Sequence, residues 1–122
     1  VLLFKKQFLD LIRRGEKSQT IRIWPHRKLR VGQRSYIPGV GYIAIEAVDA
    51  VDLDSLTETD AQLDGFATLA ALREEIVRLY PAGLIRDEQA FRVRFRVYSP
   101  AEQAAAILER QERKKSASSL PK

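Results

Sequence analysis

Residues 91–97 read FRVRFRV, in which Phe91, Val93, Phe95 and Val97 alternate with Arg92, Arg94 and Arg96. Strict period-two alternation puts the apolar side chains on one face and the arginines on the other, the pattern of a strand buried on one side. The arginine row, with a spacing of about 7 Å, suits either a nucleic-acid backbone or ion pairs with Glu46 or Asp49 on a neighbouring strand. Just downstream, Ser99, Pro100 and Glu102 supply an N-cap, a first-turn proline and a capping-box acid. They open an alanine-rich helix through about Arg113. The remainder, KKSASSLPK, has almost no apolar content, and composition assigns residues 114–122 to a disordered basic tail.

Upstream, Phe4, Phe8, Leu11 and Ile12 recur at helical spacing, and Gly15 stands at the C-terminal cap position. A short amphipathic helix over 5–14 follows. TIRIW at residues 20–24 then alternates, with Ile21 and Ile23 on one side and Thr20, Arg22 and Trp24 on the other, until Pro25 ends the strand. Two β-rich pieces, at about 34–38 and 41–49, flank a proline–glycine break and form a hairpin or bent pair. Thr57 and Asp60 resemble a capping box with Gly65 as the stop, and Thr68 caps a further helix with Leu69, Leu72, Ile76 and Leu79 on its stripe and Pro81 at its end. Short strands and helices around one sheet make an α+β fold, with the sheet expected to curl into a small barrel flanked by helices.

A chain of 122 residues suits one domain. We therefore assign 1–98 to the domain, 99–113 to a C-terminal helical extension and 114–122 to the tail. Without cysteine, and with His26 as the sole histidine, no thiolate or histidine-rich metal site is expected, and no cofactor. No apolar run reaches bilayer length, and the opening VLLF is too short for a signal-peptide core. A cytoplasmic monomer without membrane association is the expectation. The formal net charge of +5 conceals a segregation. Between Arg13 and Arg34 lie eight basic residues and one acid, whereas 45–64 holds seven acids and no base. The basic block favours an anionic partner, nucleic acid being the usual one for a small basic domain, unless folding lets the two blocks neutralise each other.

A helix, then GEKSQTIR at 15–22, a basic loop ending in VGQR, LTETDAQLDGF, LREEIVRLYP and the aromatic strand FRVRF occur in that order. This succession resembles the ASCH domain over roughly residues 1–98. The resemblance implies a PUA-like β-barrel with a cleft lined by the G-x-K-x-x-T motif, and RNA, single-stranded or structured, or a modified nucleoside as ligand. Members of the family differ: some resemble RNA-binding modules, one bacterial branch deacetylates N-acetylcytidine, and another is linked to ribonuclease activity. Carried onto this chain, the hydrolase machinery falls on Lys17, Thr20 and Asp64, with aspartate standing where that branch has glutamate. A threonine hydroxyl needs a base, and a lysine serves as one only when burial or a cationic neighbour lowers its pKa. Arg22, on the face of Thr20, suits that role or an oxyanion. Read without the resemblance, Asp64–Gly65 is an ordinary helix end and Lys17 and Thr20 are solvated residues. The expected reading is RNA or nucleotide binding by Lys17, Thr20 and Arg22, with hydrolysis as the alternative. Trp24 is either a stacking platform or a rim residue, and Arg27, Lys28 and Arg30 are either phosphate contacts or a solubilising loop.

Overall fold

The computed structural model describes residues 2–80 and 88–119. Helix α1 (Lys6–Arg13) precedes β1 (Gln19–Trp24), β2 (Arg34–Ile37) and β3 (Gly41–Val51). A 3-10 turn (Leu53–Ser55), α2 (Glu58–Leu63), α3 (Leu69–Leu79), β4 (Gln89–Val97) and α4 (Pro100–Ser119) complete the order. Helix α3 ends at Leu79 with Tyr80 as its C-cap, and Pro81, expected to end it, lies outside the described residues. The α+β class holds, and all four strands join one antiparallel sheet in the order β1-β4-β3-β2.

The arginine-alternating strand is thus central. One face of β4 buries Phe91, Val93 and Phe95 with Ile37, Ile43, Ile45 and Val48 beneath Phe8 and Ile12 of α1. A bulge between Ile45 and Ala47 shifts the register, so that Ile45 opposes Phe95 while Val48 opposes Val93. The extra residue corrects the parity of β3, keeping Val48 on the core side. The opposite face buries Ile21, Ile23 and Ala90 against Leu56, Ala61, Leu72 and Ile76. A sheet covered on both faces explains why β1 is almost wholly buried despite its polar residues.

The expected barrel is corrected to an open sheet, with β1 and β2 at its edges. Closure would require those edges to pair, and the N-terminal segment lies between them instead. The Leu2 amide donates to Tyr36 O at 3.1 Å on β2, and Leu3 O accepts from Arg22 Nη2 at 2.8 Å on β1. Leu2, Phe8 and Ile12 fill the space that a closing strand pair would occupy. The C-terminal expectation also changes: α4 continues beyond Arg113 to Ser119. Ala, Gln, Glu, Arg and Lys are strong helix formers, and an Arg113–Glu109 pair at 3.1 Å, four residues apart, supports the helix near its expected stop.

Arg92, Arg94 and Arg96 are drawn into the fold. Arg92 pairs with Asp60 at 3.2 Å, Arg94 reaches Gln19 Oε1 at 3.5 Å, and Arg96 makes a two-point contact with Glu102 at 2.8 and 3.1 Å. Asp60 is a hub, completing the α2 capping box with Thr57 and accepting from Gln19 Nε2 at 3.1 Å. Burial works to raise its pKa, but the Thr57 amide, the Gln19 and Thr57 side chains and Arg92 outweigh that and hold it below the ordinary 3.8. A carboxyl held lower in the fold than in the unfolded chain adds stability that is present above its ordinary value and lost as pH falls through its folded value. Asp60→Ala is accordingly expected to cost about 1–3 kcal/mol at neutral pH. Thermal melts should show the gap from wild type narrowing in acid. A gap that stays constant down to about pH 2 would contradict this role.

Candidate functional site

The site is built where α1 hands over to β1. Gly15 takes φ +77, a left-handed turn that a side chain would resist. It lets the amides of Glu16 and Lys17 turn back onto Leu11 O at 2.9 and 3.1 Å. The Ser18 amide then bonds Leu63 O at 2.9 Å, tying this loop to the end of α2. The result is a lysine aimed inward, only 3% exposed. Gly65, at φ +91, allows the other wall to approach: a Cβ there would lie 3.4 Å from Lys17 Cδ and 3.3 Å from Leu11 Cδ1.

Lys17 Nζ donates to the Asp64 carboxylate and to Asp64 O, and to Gln19 O at 3.0 Å. All three ammonium protons are thereby engaged. Its charge also lies 4.8 Å from the centre of the Phe8 ring, a favourable cation–π geometry. Arg22 lies 4.8 Å over Phe4 and donates from Nε to Thr20 Oγ1 at 3.1 Å. Asp64 is buried, and its Oδ2 has no hydrogen-bond partner. Burial pushes the Lys17 ammonium down, with Asp64 opposing and Arg22 assisting. Burial likewise pushes the Asp64 carboxyl up, against the pull of Lys17, Arg22 and the Ile21 amide. The pair is therefore biased toward sharing a proton rather than holding two full charges.

These groups meet on the wall of a cavity of about 430 Å³ at the β1 edge, between the N-terminal segment and α3. Lys17, Thr20, Arg22 and Asp64 all line it, among Phe4, Phe8, Phe66, Ile76 and Tyr80. The solvated reading of Lys17 and Thr20 is overturned by their burial at 3% and 5% exposure, whereas Asp64 does stand at the end of α2, as its C-cap, and is buried there. Trp24, Arg27, Lys28 and Arg30 are absent from the lining. Trp24 packs 5.6 Å from Phe91, and Arg27 donates to Val48 O while lying over the same ring. Lys28 and Arg30 are exposed on the loop.

Sequence reasoning missed Glu75, a buried acid on the cavity wall. It accepts from Lys5 Nζ at 2.5 Å and from Arg78 at 3.1 Å, so that the Lys5 pair links the N-terminal segment to α3 beside the cavity. A signal was present: position 75 falls three residues after Leu72, on the inward stripe of α3. Among the described residues, no group of three or more His, Asp or Glu side chains is placed to hold a metal ion, and no helix is long and apolar enough to cross a membrane.

Among solved structures, an ASCH domain from Lactobacillus crispatus superposes with a TM-score of 0.57 at 23% identity, over 73% of this chain and 69% of that one. The chain has an ASCH-like fold. Consistent with this, an Enterococcus faecalis protein of the DUF984 family matches with a TM-score of 0.59 at 21% identity, over 75% of this chain and 69% of that one. A hypothetical protein, PH0355, gives 0.68 at 11% identity, over 79% and 95%. No family model and no curated protein matches the chain. In this ASCH-like fold, the G-x-K-x-x-T segment runs from the α1 cap into the edge strand, which is how Lys17 and Thr20 reach one cavity.

Proposed function

We propose that the cavity binds a nucleoside unit, free or within an RNA chain, through Lys17, Thr20, Arg22 and Asp64. The observation that carries this reading is the convergence of these four polar groups on an aromatic-walled cavity of about 430 Å³. Asp64 supplies the acceptor among them. Thr20 and Arg22 beside it offer donors for a carbonyl, and Phe4, Phe8 and Tyr80 offer apolar faces for a planar ring. An adjacent donor and acceptor on one planar edge is what a nucleobase presents. The cavity suits one base better than a strand, because the cationic loop residues Arg27, Lys28 and Arg30 do not line it.

Hydrolysis of an acylated nucleoside, or of RNA, is a second reading, favoured by the convergence of Lys17, Thr20 and Asp64. In the resting arrangement Lys17 spends its protons on Asp64 and Gln19, so it must pass one to Asp64 before it can accept the Thr20 proton. The opposed pKa shifts of the buried pair favour that transfer. If the step operates, the resting and active forms hold the same number of protons, so the rate should be level across neutral pH and fall only where pH is low enough for Lys17 and Asp64 to be protonated together.

The test is calorimetric titration with cytidine and N-acetylcytidine, run beside chromatographic detection of deacetylation. Binding should weaken about 2- to 12-fold in Thr20→Ala, the worth of one hydrogen bond, while any turnover should vanish. Failure of every nucleoside to bind would overturn the proposal. Turnover that survives Thr20→Ala would remove the hydroxyl from the chemistry.

A further inference from the structure

A second concavity lies at the other edge of the sheet, where α4 crosses β2 and β3. It encloses about 500 Å³ and is lined by Tyr36, Tyr42, Gln103, Ile107, Arg110 and Lys114, among others, with no acidic residue in the lining. It shares no residue with the cavity at the β1 edge. Gln103 holds it open by pairing with Tyr42 as a neighbouring strand would, accepting from the Tyr42 amide at 2.9 Å and donating to Tyr42 O at 3.0 Å. The approach is so close that a Cβ on Gly41 would sit 2.8 Å from Gln103 Oε1. Gln103 thereby ties α4 to β3 beside the groove.

Two rings line it: Tyr36 meets Tyr42 edge-on at 5.2 Å, and Tyr36 remains 39% exposed. Arg34 lies 5.1 Å over Tyr42. On the helical wall, Arg110 and Lys114 are one turn apart, about 6 Å along the axis, which is the scale separating neighbouring phosphates on an extended strand. Glu109, next to Arg110 on α4, pairs with Arg34 at 2.9 Å and Arg113 at 3.1 Å.

We propose that this groove between β2–β3 and α4 is a binding site for single-stranded nucleic acid, with Tyr36 stacking on a base and Arg110 and Lys114 meeting consecutive phosphates. Exposed aromatic surface beside a one-signed cationic wall is the combination that binds a strand without reading its sequence. An acidic peptide would match the charge but would leave Tyr36 without a planar partner.

The test uses the full chain and a fluorescently labelled oligouridylate, followed by anisotropy over a range of salt. Tyr36→Ala should weaken binding about 5- to 150-fold, the effect of losing one stacked base, whereas Tyr36→Phe should retain it. Arg110→Gln with Lys114→Gln should flatten the slope of log affinity against log salt by about 1.4, the loss of two single-strand phosphate contacts. Neither change touches the folded core, and circular dichroism should be unaltered. Nucleoside titration of the Tyr36→Ala protein should match wild type, so the groove and the β1-edge cavity can fail separately. Absence of oligouridylate binding, equal affinity in these variants, or competition by polyglutamate as effective as by unlabelled RNA would each overturn the proposal.

Discussion

Lys17→Met is expected to destabilise the domain by about 3–5 kcal/mol at neutral pH, because it strands the buried Asp64 carboxylate without its partner. That is a large part of the roughly 5–15 kcal/mol typical of a domain. Urea denaturation should then show Lys17→Met with Asp64→Leu recovering most of the loss, since exchanging a buried pair for apolar groups is often close to neutral. The same double variant should have lost nucleoside binding while remaining folded, which separates the functional cost of the pair from its structural cost. In the single variant, burial continues to raise Asp64 and Lys17 no longer opposes it. A carboxyl whose folded pKa is raised binds more protons in the fold, so the variant should gain stability relative to wild type as pH falls through that raised value. A single variant costing less than about 1 kcal/mol would mean that water reaches the pair.

Phe95→Ala should cost about 3–5 kcal/mol, the range for removing a fully buried aromatic side chain. Phe95 is 2% exposed at the centre of the sheet, opposite Ile45, with its ring 5.8 Å from that of Phe4. Phe4 in turn lies beneath Arg22 and lines the cavity. The substitution should lower the melting temperature by roughly 10–20 °C, and below that temperature it should weaken nucleoside binding, since Phe4 loses its support. Phe95→Leu, which refills most of the space, should recover the larger share of both. A stable Phe95→Ala protein with unchanged melting would show that the two halves of this core are not coupled through the ring.

Much of the local structure was legible because it is written in short-range patterns. Gly15 after the apolar stripe, Thr57 with Asp60, Thr68, and Ser99 with Glu102 each mark a helix boundary within one turn. The G-x-K-x-x-T segment likewise marked Lys17, Thr20 and Arg22, all of which line the cavity. Trp24, Arg27, Lys28 and Arg30, which follow that segment in the chain, lie outside the lining, because proximity in sequence along a strand and loop is not proximity around a cavity. Glu75 went unseen for the opposite reason, since it reaches the site from α3, after the acidic segment that drew attention. For the β4 arginines, left open between a nucleic-acid backbone and ion pairs with Glu46 or Asp49, the ion-pair alternative assumed that charge pairs run across neighbouring strands. Asp60 and Glu102 on the covering helices hold Arg92 and Arg96 instead.

By itself, then, the sequence determined the kinds of the elements and the starts of the capped helices, the inward faces of β4 and α1, and the α+β class, since these depend on residue period and on caps a few positions apart. Only the tertiary structure decided that the last strand lies between the first and third, that the sheet stays open, and that Asp64 meets Lys17 across 47 positions. Those outcomes depend on which surfaces bury most completely against one another. In this chain the N-terminal segment and α1 occupy the space that would otherwise close a barrel, and the cavity is what remains between that segment and α3.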